Sequence, residues 1–116
     1  MKTVEILQYT LQKGTGASFH RLMQEVSVPL HQCHEIDVVS FGHSLHDPDS
    51  YYLIRAFASM ESMDSVLAAF YASADWRDGP REAIVRSIDT ALKTVIVLPR
   101  ESVDGLRLQQ VCTSGQ

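Results

Sequence analysis

His43, Tyr51 and Arg55 fall at odd positions along two neighbouring stretches that read as strands, Ile36–Leu45 and Tyr51–Ala58. In a strand every second side chain points to the same face. Pairing the two stretches around Asp47-Pro48-Asp49, with His46 opposite Ser50, puts Phe41, His43, Leu45, Tyr51, Leu53, Arg55 and Phe57 on one face. An imidazole, a phenol and a guanidinium among apolar side chains suit a pocket for a small anionic or carbonyl-bearing molecule. In such a pocket Arg55 would orient the ligand, while His43 and Tyr51 would hydrogen-bond it. As an enzyme, the site would use His43 as general base and Arg55 to stabilise an enolate-like anion, in a cofactor-independent oxygenation or isomerisation. A structural alternative pairs Arg55 with Glu5 of the first strand as an ion pair and makes His43 a satisfied core residue.

A second cluster closes the chain segment Phe70-Tyr71-Ala72-Ser73-Ala74-Asp75-Trp76-Arg77. Trp76 could wall a ligand cavity with Arg77 reaching an anionic group. The reading the residues favour has Trp76 plug the core between two short helices and Arg77 pair with Asp75 or Asp78, since large aromatics at helix junctions anchor packing. His31, Cys33 and His34 have helix spacing for metal ligands, but further ligands at matching spacing are missing. His31 and His34 are therefore placed on the solvated side of their helix, and neither a metal nor a cofactor is expected. Gly14-Thr15-Gly16 lacks the downstream Gly-Lys-Ser/Thr of a phosphate loop, and there is no nucleophile elbow or paired-carboxylate arrangement.

These residues must be positioned by few elements. Thr3–Leu11 alternates with strand-forming types until Lys13-Gly14-Thr15-Gly16 breaks it. From Ala17 the period becomes helical, with Phe19, Leu22, Met23, Val26, Leu30 and Cys33 forming an apolar stripe. Pro29 interrupts that helix, predicting a kink or a break with Ser27 capping a second piece. Ser59 is placed to cap a helix over Met60–Tyr71, with Met63, Val66, Leu67 and Phe70 facing inward. After Gly79-Pro80 a further helix is predicted over Arg81–Leu92, then a last strand over Thr94–Leu98 ended by Pro99. The order β-α-β-β-α-β is the split βαβ arrangement of ferredoxin-like α+β domains, with the third strand between the first and second. Residues 1–99 thus form one domain, and 100–116 a tail with weak alternation of Val103, Leu106, Leu108 and Val111 that would serve as a dimer arm or fray.

Composition narrows the function classes. The 116 residues suffice for one core without staples, and 45% hydrophobic with 21% charged residues matches ordinary globular domains. The net charge of -4, with its basic residues scattered, argues against a nucleic-acid partner. Two cysteines in unlike settings, Cys33 and Cys112, point to a reducing compartment, and the absence of a signal-peptide core or a long apolar run points to a cytoplasmic protein without a membrane span.

Both faces of the predicted sheet are apolar: Val4 and Ile6 oppose Leu7, Tyr9 and Leu11 in the first strand, Leu53 and Phe57 oppose Ile54, Ala56 and Ala58 in the third, and Ile96 and Leu98 oppose Val95 and Val97 in the last. Helices of this topology cover one face, so the other calls for a second copy stacked sheet against sheet, or for the tail as a lid. Specific residues sharpen that expectation. Glu5 with Tyr9-Thr10-Leu11 and Gly14, the mid-helix Pro29-Leu30, the junction Ala56-Phe57-Ala58-Ser59-Met60-Glu61, and the Tyr-x-x-x-x-Trp-Arg element Tyr71–Arg77 resemble the NIPSNAP family. Val4 and Leu7 stand where the family usually has Tyr and Arg, and Arg55 where many members carry Trp. The resemblance spans most of residues 3–98 and implies a dimeric α+β barrel, related in shape to antibiotic-biosynthesis monooxygenases and haem-degrading proteins. It implies no shared catalytic set. The combined expectation is a homodimeric NIPSNAP-type domain holding a small apolar or anionic ligand between sheet and helices at His43, Tyr51, Arg55 and Trp76. A cofactor-independent monooxygenase or isomerase and a non-catalytic scaffolding dimer are the alternatives.

Overall fold

In a computed structural model that describes residues 1–114, with the side chains of residues 1–107, four antiparallel strands form one sheet in the order β2-β3-β1-β4. The elements run β1 (Lys2–Leu11), α1 (Gly16–Leu22), a π-helical turn (Met23–Ser27), α2 (Val28–Cys33), β2 (Asp37–Ser44), β3 (Asp47–Phe57), α3 (Met60–Ala72), α4 (Ala74–Arg77), α5 (Arg81–Ser87), β4 (Ile88–Leu98) and α6 (Arg100–Ser114). As the split βαβ topology requires, β3 sits between β1 and β2. Helices α1 to α5 lie on one side of the sheet, and the main core forms there around Phe19, Met23, Leu53, Phe57, Met63 and Phe70.

Local chemistry explains most boundaries. The Ser59 hydroxyl accepts from the Ser62 backbone N–H at 3.0 Å and starts α3. Ser73 does the same for α4, accepting from Trp76 N–H at 3.3 Å. The break expected at Pro29 takes the form of the π-turn, and Pro29 sits at the start of α2, where a missing N–H costs least. Ser27 does stand at the N-cap position of α2, but its side chain makes no capping bond: the Oγ is buried without a hydrogen-bond partner among the described residues.

Tertiary pairing overrides the local pattern in three places. Asp47, Pro48 and Asp49 begin β3 instead of forming the turn, which falls at Leu45 and His46. The Asp49 carboxylate accepts from the Gly14 and Gly16 N–H groups, each at 2.9 Å, and so ties β3 to the β1–α1 turn. The helix predicted to Leu92 stops at Ser87, and residues 88–92 extend β4 instead. Ile84, Ile88 and Ala91 do have helical spacing, but Ile88, Thr90, Ala91 and Leu92 pair with Leu11, Thr10, Tyr9 and Gln8. Without them half of β1 would lose its partner on that side. The segment after Pro99 forms α6 instead of an extended arm. Val103 and Leu106 pack on Val4, Val39, Ala56 and Leu98 across the outer sheet face, and Arg107 makes two 2.6 Å hydrogen bonds to Asp37. The side chains of Leu108, Val111 and Cys112 lie outside those described.

Helix α6 covers only one end of the outer face. Leu92 remains 67% exposed and Ile96 37% exposed, and beside them a concavity of about 370 Å³ opens over Ile6, Gln8, Ser50 and Tyr52. Among the described residues, no helix is long and apolar enough to cross a membrane.

Candidate functional site

The helix-side face of the sheet carries two polar clusters, one sealed and one open. The sealed cluster centres on Arg55, which lies directly across from Glu5 in the β1–β3 ladder. Arg55 is 2% exposed and Glu5 1%. The Arg55 Nε and Nη2 both reach Glu5 Oε1 at 2.6 Å, and Nη1 donates to the Tyr71 hydroxyl at 2.8 Å and to His31 Nε2 at 3.0 Å. Lys93 Nζ approaches the other Glu5 oxygen at 3.1 Å. Burial opposes the Arg55 charge, yet Tyr71 and Glu5 together hold its pKa above the ordinary value. Turning Arg55 toward a ligand would leave Glu5 buried beside Lys93 alone, and breaking a buried pair costs about 3–5 kcal/mol. The guanidinium is thus committed to the fold as an ion pair.

His31 belongs to this cluster and not to the solvated helix side. The wider π-turn takes up more residues per turn, so the buried face passes from Val26, Leu30 and Cys33 to Ser27, Val28 and His31. Val26 and Cys33 are exposed as a result. The ring is oriented from both ends: its Nδ1–H donates to the Ser27 carbonyl at 2.7 Å and its Nε2 accepts from Arg55. Burial, aided by Arg55, lowers the His31 pKa to about 4, against the pull of the Ser27 carbonyl. His34 points elsewhere, to Asp75 at 3.2 Å. Among the described residues no three His, Cys, Asp or Glu side chains converge as a metal-binding group.

Trp76 is 8% exposed and rests on Phe70 and Tyr71, with ring centroids 5.4 and 5.2 Å away. Its neighbour Tyr71 accepts the Arg55 hydrogen bond, so the Tyr71–Arg77 element backs the sealed cluster from outside.

The open cluster lies at the other end of the same face. His43 pairs directly with Tyr51, two residues out of the expected register, and a shift of two keeps Phe41 and His43 on their expected face. Phe41, His43, Tyr51, Leu53, Arg55 and Phe57 therefore do share a side, while Leu45 leaves the set for the exposed turn. Helix α1 brings His20 over them. Its Nδ1 lies 2.5 Å from the Tyr51 hydroxyl, and its ring sits 4.7 Å from His43 and 6.0 Å from Phe41. His43 Nδ1–H donates to the Pro48 carbonyl at 2.9 Å. Tyr51 is 1% exposed, and burial, with Tyr52 beside it, raises its pKa. Burial first, then His43, lowers that of His20.

Hydrogen-bond accounting assigns the tautomers. A protonated phenol buried beside one acceptor donates to it, so Tyr51 O–H binds His20 Nδ1 and leaves the proton of neutral His20 on Nε2. Neutral His43, bound to a carbonyl through Nδ1–H, carries its lone pair on Nε2. Neither Nε2 has a partner among the described residues, and neither is buried. The arrangement offers one donor and one acceptor, side by side, on apolar ground. His20 was not among the residues singled out by sequence: it falls on the polar side of the apolar stripe, and only the fold brings it over β2.

A four-stranded antiparallel sheet of this order, with α1 to α5 on one face, defines a ferredoxin-like α+β domain, and in solved structures it is the fold of NIPSNAP family proteins. One such protein from Agrobacterium tumefaciens superposes with a TM-score of 0.78 at 12% identity, covering 88% of this chain and 90% of its own. Another from the same organism, of unknown function, gives 0.76 at 20% identity over 85% and 89%. A candidate antibiotic biosynthesis monooxygenase from Nitrosomonas europaea gives 0.62 at 13% identity over 83% and 97%. No family model matches the sequence, and neither does any curated protein sequence.

Proposed function

We propose that the chain is a cytoplasmic homodimeric domain that binds a small molecule on the helix side of each sheet, at its open end. One observation carries the reading: His20 and His43, with ring centroids 4.7 Å apart, each keep an unburied Nε2 that has no hydrogen-bond partner among the described residues. An accessible imidazole nitrogen is free to act as acid, base or hydrogen-bond partner to a bound molecule. In this reading His43 contacts the ligand and Tyr51 holds His20 from behind, while Arg55 and Trp76 stay in the sealed cluster at the other end of the face. Sheet-to-sheet dimerisation is supported by the exposed outer face at Leu92 and Ile96, which a second copy would cover. Domains 1–99 and 100–116 then divide the labour, the first carrying the site and α6 framing the outer face.

Native mass spectrometry of the protein purified from its own host tests both parts. The expected result is a mass near twice 13.0 kDa plus a bound small molecule. That molecule should be lost, without loss of the dimer, in a His20→Ala/His43→Ala variant. Retention of the molecule by the double variant would move the site elsewhere. A ligand-free dimer whose two histidines respond to no compound in a fragment titration would leave a scaffolding role.

A further inference from the structure

Resting on that site, we infer that His20 and His43 form an enolising pair, with His43 as the base and His20 as the oxyanion donor, acting on an apolar ketone or related carbon acid. Enolisation requires two groups at once. An acceptor must take the proton from the carbon next to a carbonyl, and a donor must meet the charge that develops on the oxygen. The two rings supply one of each. His43 Nε2 carries a lone pair because its Nδ1–H is committed to the Pro48 carbonyl 2.9 Å away. His20 Nε2 carries a proton because its Nδ1 accepts from Tyr51. A centroid separation of 4.7 Å lets the rings span the carbonyl oxygen and the adjacent carbon of one small molecule.

In the step itself, the C–H bond breaks and its proton passes to His43 Nε2. The C–H electron pair becomes the new C=C bond as the carbonyl π pair moves onto oxygen, where the His20 N–H holds it. Return of the proton to the same or a conjugated carbon regenerates His43 and yields exchange or an isomer. No oxidant or reductant is needed.

The surroundings favour this division. Burial and the neighbouring His43 both disfavour a charged His20, so it serves as a neutral donor. Tyr51, locked in the core against Phe19 at 5.0 Å, is the positioning residue that sets the His20 tautomer. Phe41, 6.0 Å from His20, makes the adjoining ground apolar. Arg55, which has the charge for an oxyanion, is sealed 2% exposed in its pair with Glu5, so the role falls to His20.

The test uses 2-tetralone, an apolar enolisable ketone, with the full-length protein in D2O containing a chelator. Deuterium exchange at its activated C1 position is followed by NMR against free imidazole at equal concentration. The wild type should exceed imidazole by at least ~10-fold, the scale of a weak general-base contribution. His43→Gln should lose the acceleration, and His20→Gln should slow exchange of the bound probe by at least ~10-fold, beyond any weakening of binding read from ligand line widths. Tyr51→Phe should redistribute the His20 proton between its nitrogens, visible in the ¹⁵N shifts, and lower the rate. Binding at the two histidines with exchange no faster than imidazole overturns the enolising pair and leaves the binding site standing. If the probe perturbs neither histidine, the pair and the site both fall. Should either Gln variant unfold by circular dichroism, the Asn variant at that position is measured instead.

Discussion

Three histidines on the helix side of the sheet meet opposite fates, and the difference is solvent. His31 is sealed with Arg55 and Glu5, whereas His20 and His43 keep one nitrogen each toward water. The sealed one makes stability depend on pH. The unfolded chain takes up a proton at His31 near pH 6.5, but the folded chain resists until about 4. The unfolded state therefore binds more protons in that window, and stability falls as pH drops through it by at most about 1.4 kcal/mol per unit. Urea midpoints measured at pH 7 and pH 5 should separate further for the wild type than for His31→Gln. Parallel behaviour would mean that His31 is not held neutral.

At the scale of elements, the open site depends on how α1 is hung from the sheet. Gly16 begins α1, and a Cβ there would lie 2.1 Å from the Pro48 carbonyl oxygen. The same short span carries the Asp49 hydrogen bonds to Gly14 and Gly16, and Pro48 also holds His43. Gly16→Ala must push α1 away from β3, since the obstacle is backbone and cannot swing aside. The expected cost is about 1–3 kcal/mol in thermal or urea unfolding, as for other overpacked contacts. It should come with a changed His20 ring environment in NMR while His31 stays as it was. An unchanged His20 signal would show that α1 is positioned by its core contacts at Phe19 and not by this turn.

For the whole molecule, the outer sheet face decides the quaternary state. Val4, Val39 and Ala56 are already under Val103 of α6, but Ile96 and Leu92 are not. Ile96→Glu sets a carboxylate in the middle of the uncovered patch, where desolvating it between two copies costs several kcal/mol or more. In gel filtration at micromolar concentration, the wild type should run near twice 13.0 kDa and Ile96→Glu near the monomer, with the same far-ultraviolet circular dichroism. A monomeric wild type would mean that α6 alone is enough cover.

The periods along the chain were sufficient for the helix that Ser59 caps, the two apolar sheet faces and the common side of His43, Tyr51 and Arg55, because side-chain alternation and capping are local properties. The strand order followed from the succession of elements and the topology it fits. Glu5 opposite Arg55 was also legible, as one of two readings, from alternation on adjoining strands. The end of α5 at Ser87 was not, since helical spacing there competes with a β1 edge that only the assembled sheet presents. Nor was the turn of His31 into the core, which follows from a π-turn that inserts an offset into an otherwise regular stripe. His20 shows the limit most clearly: its residue type promised chemistry, but its partners Tyr51 and His43 lie 31 and 23 positions away, and a contact across that distance is made by packing, not by pattern.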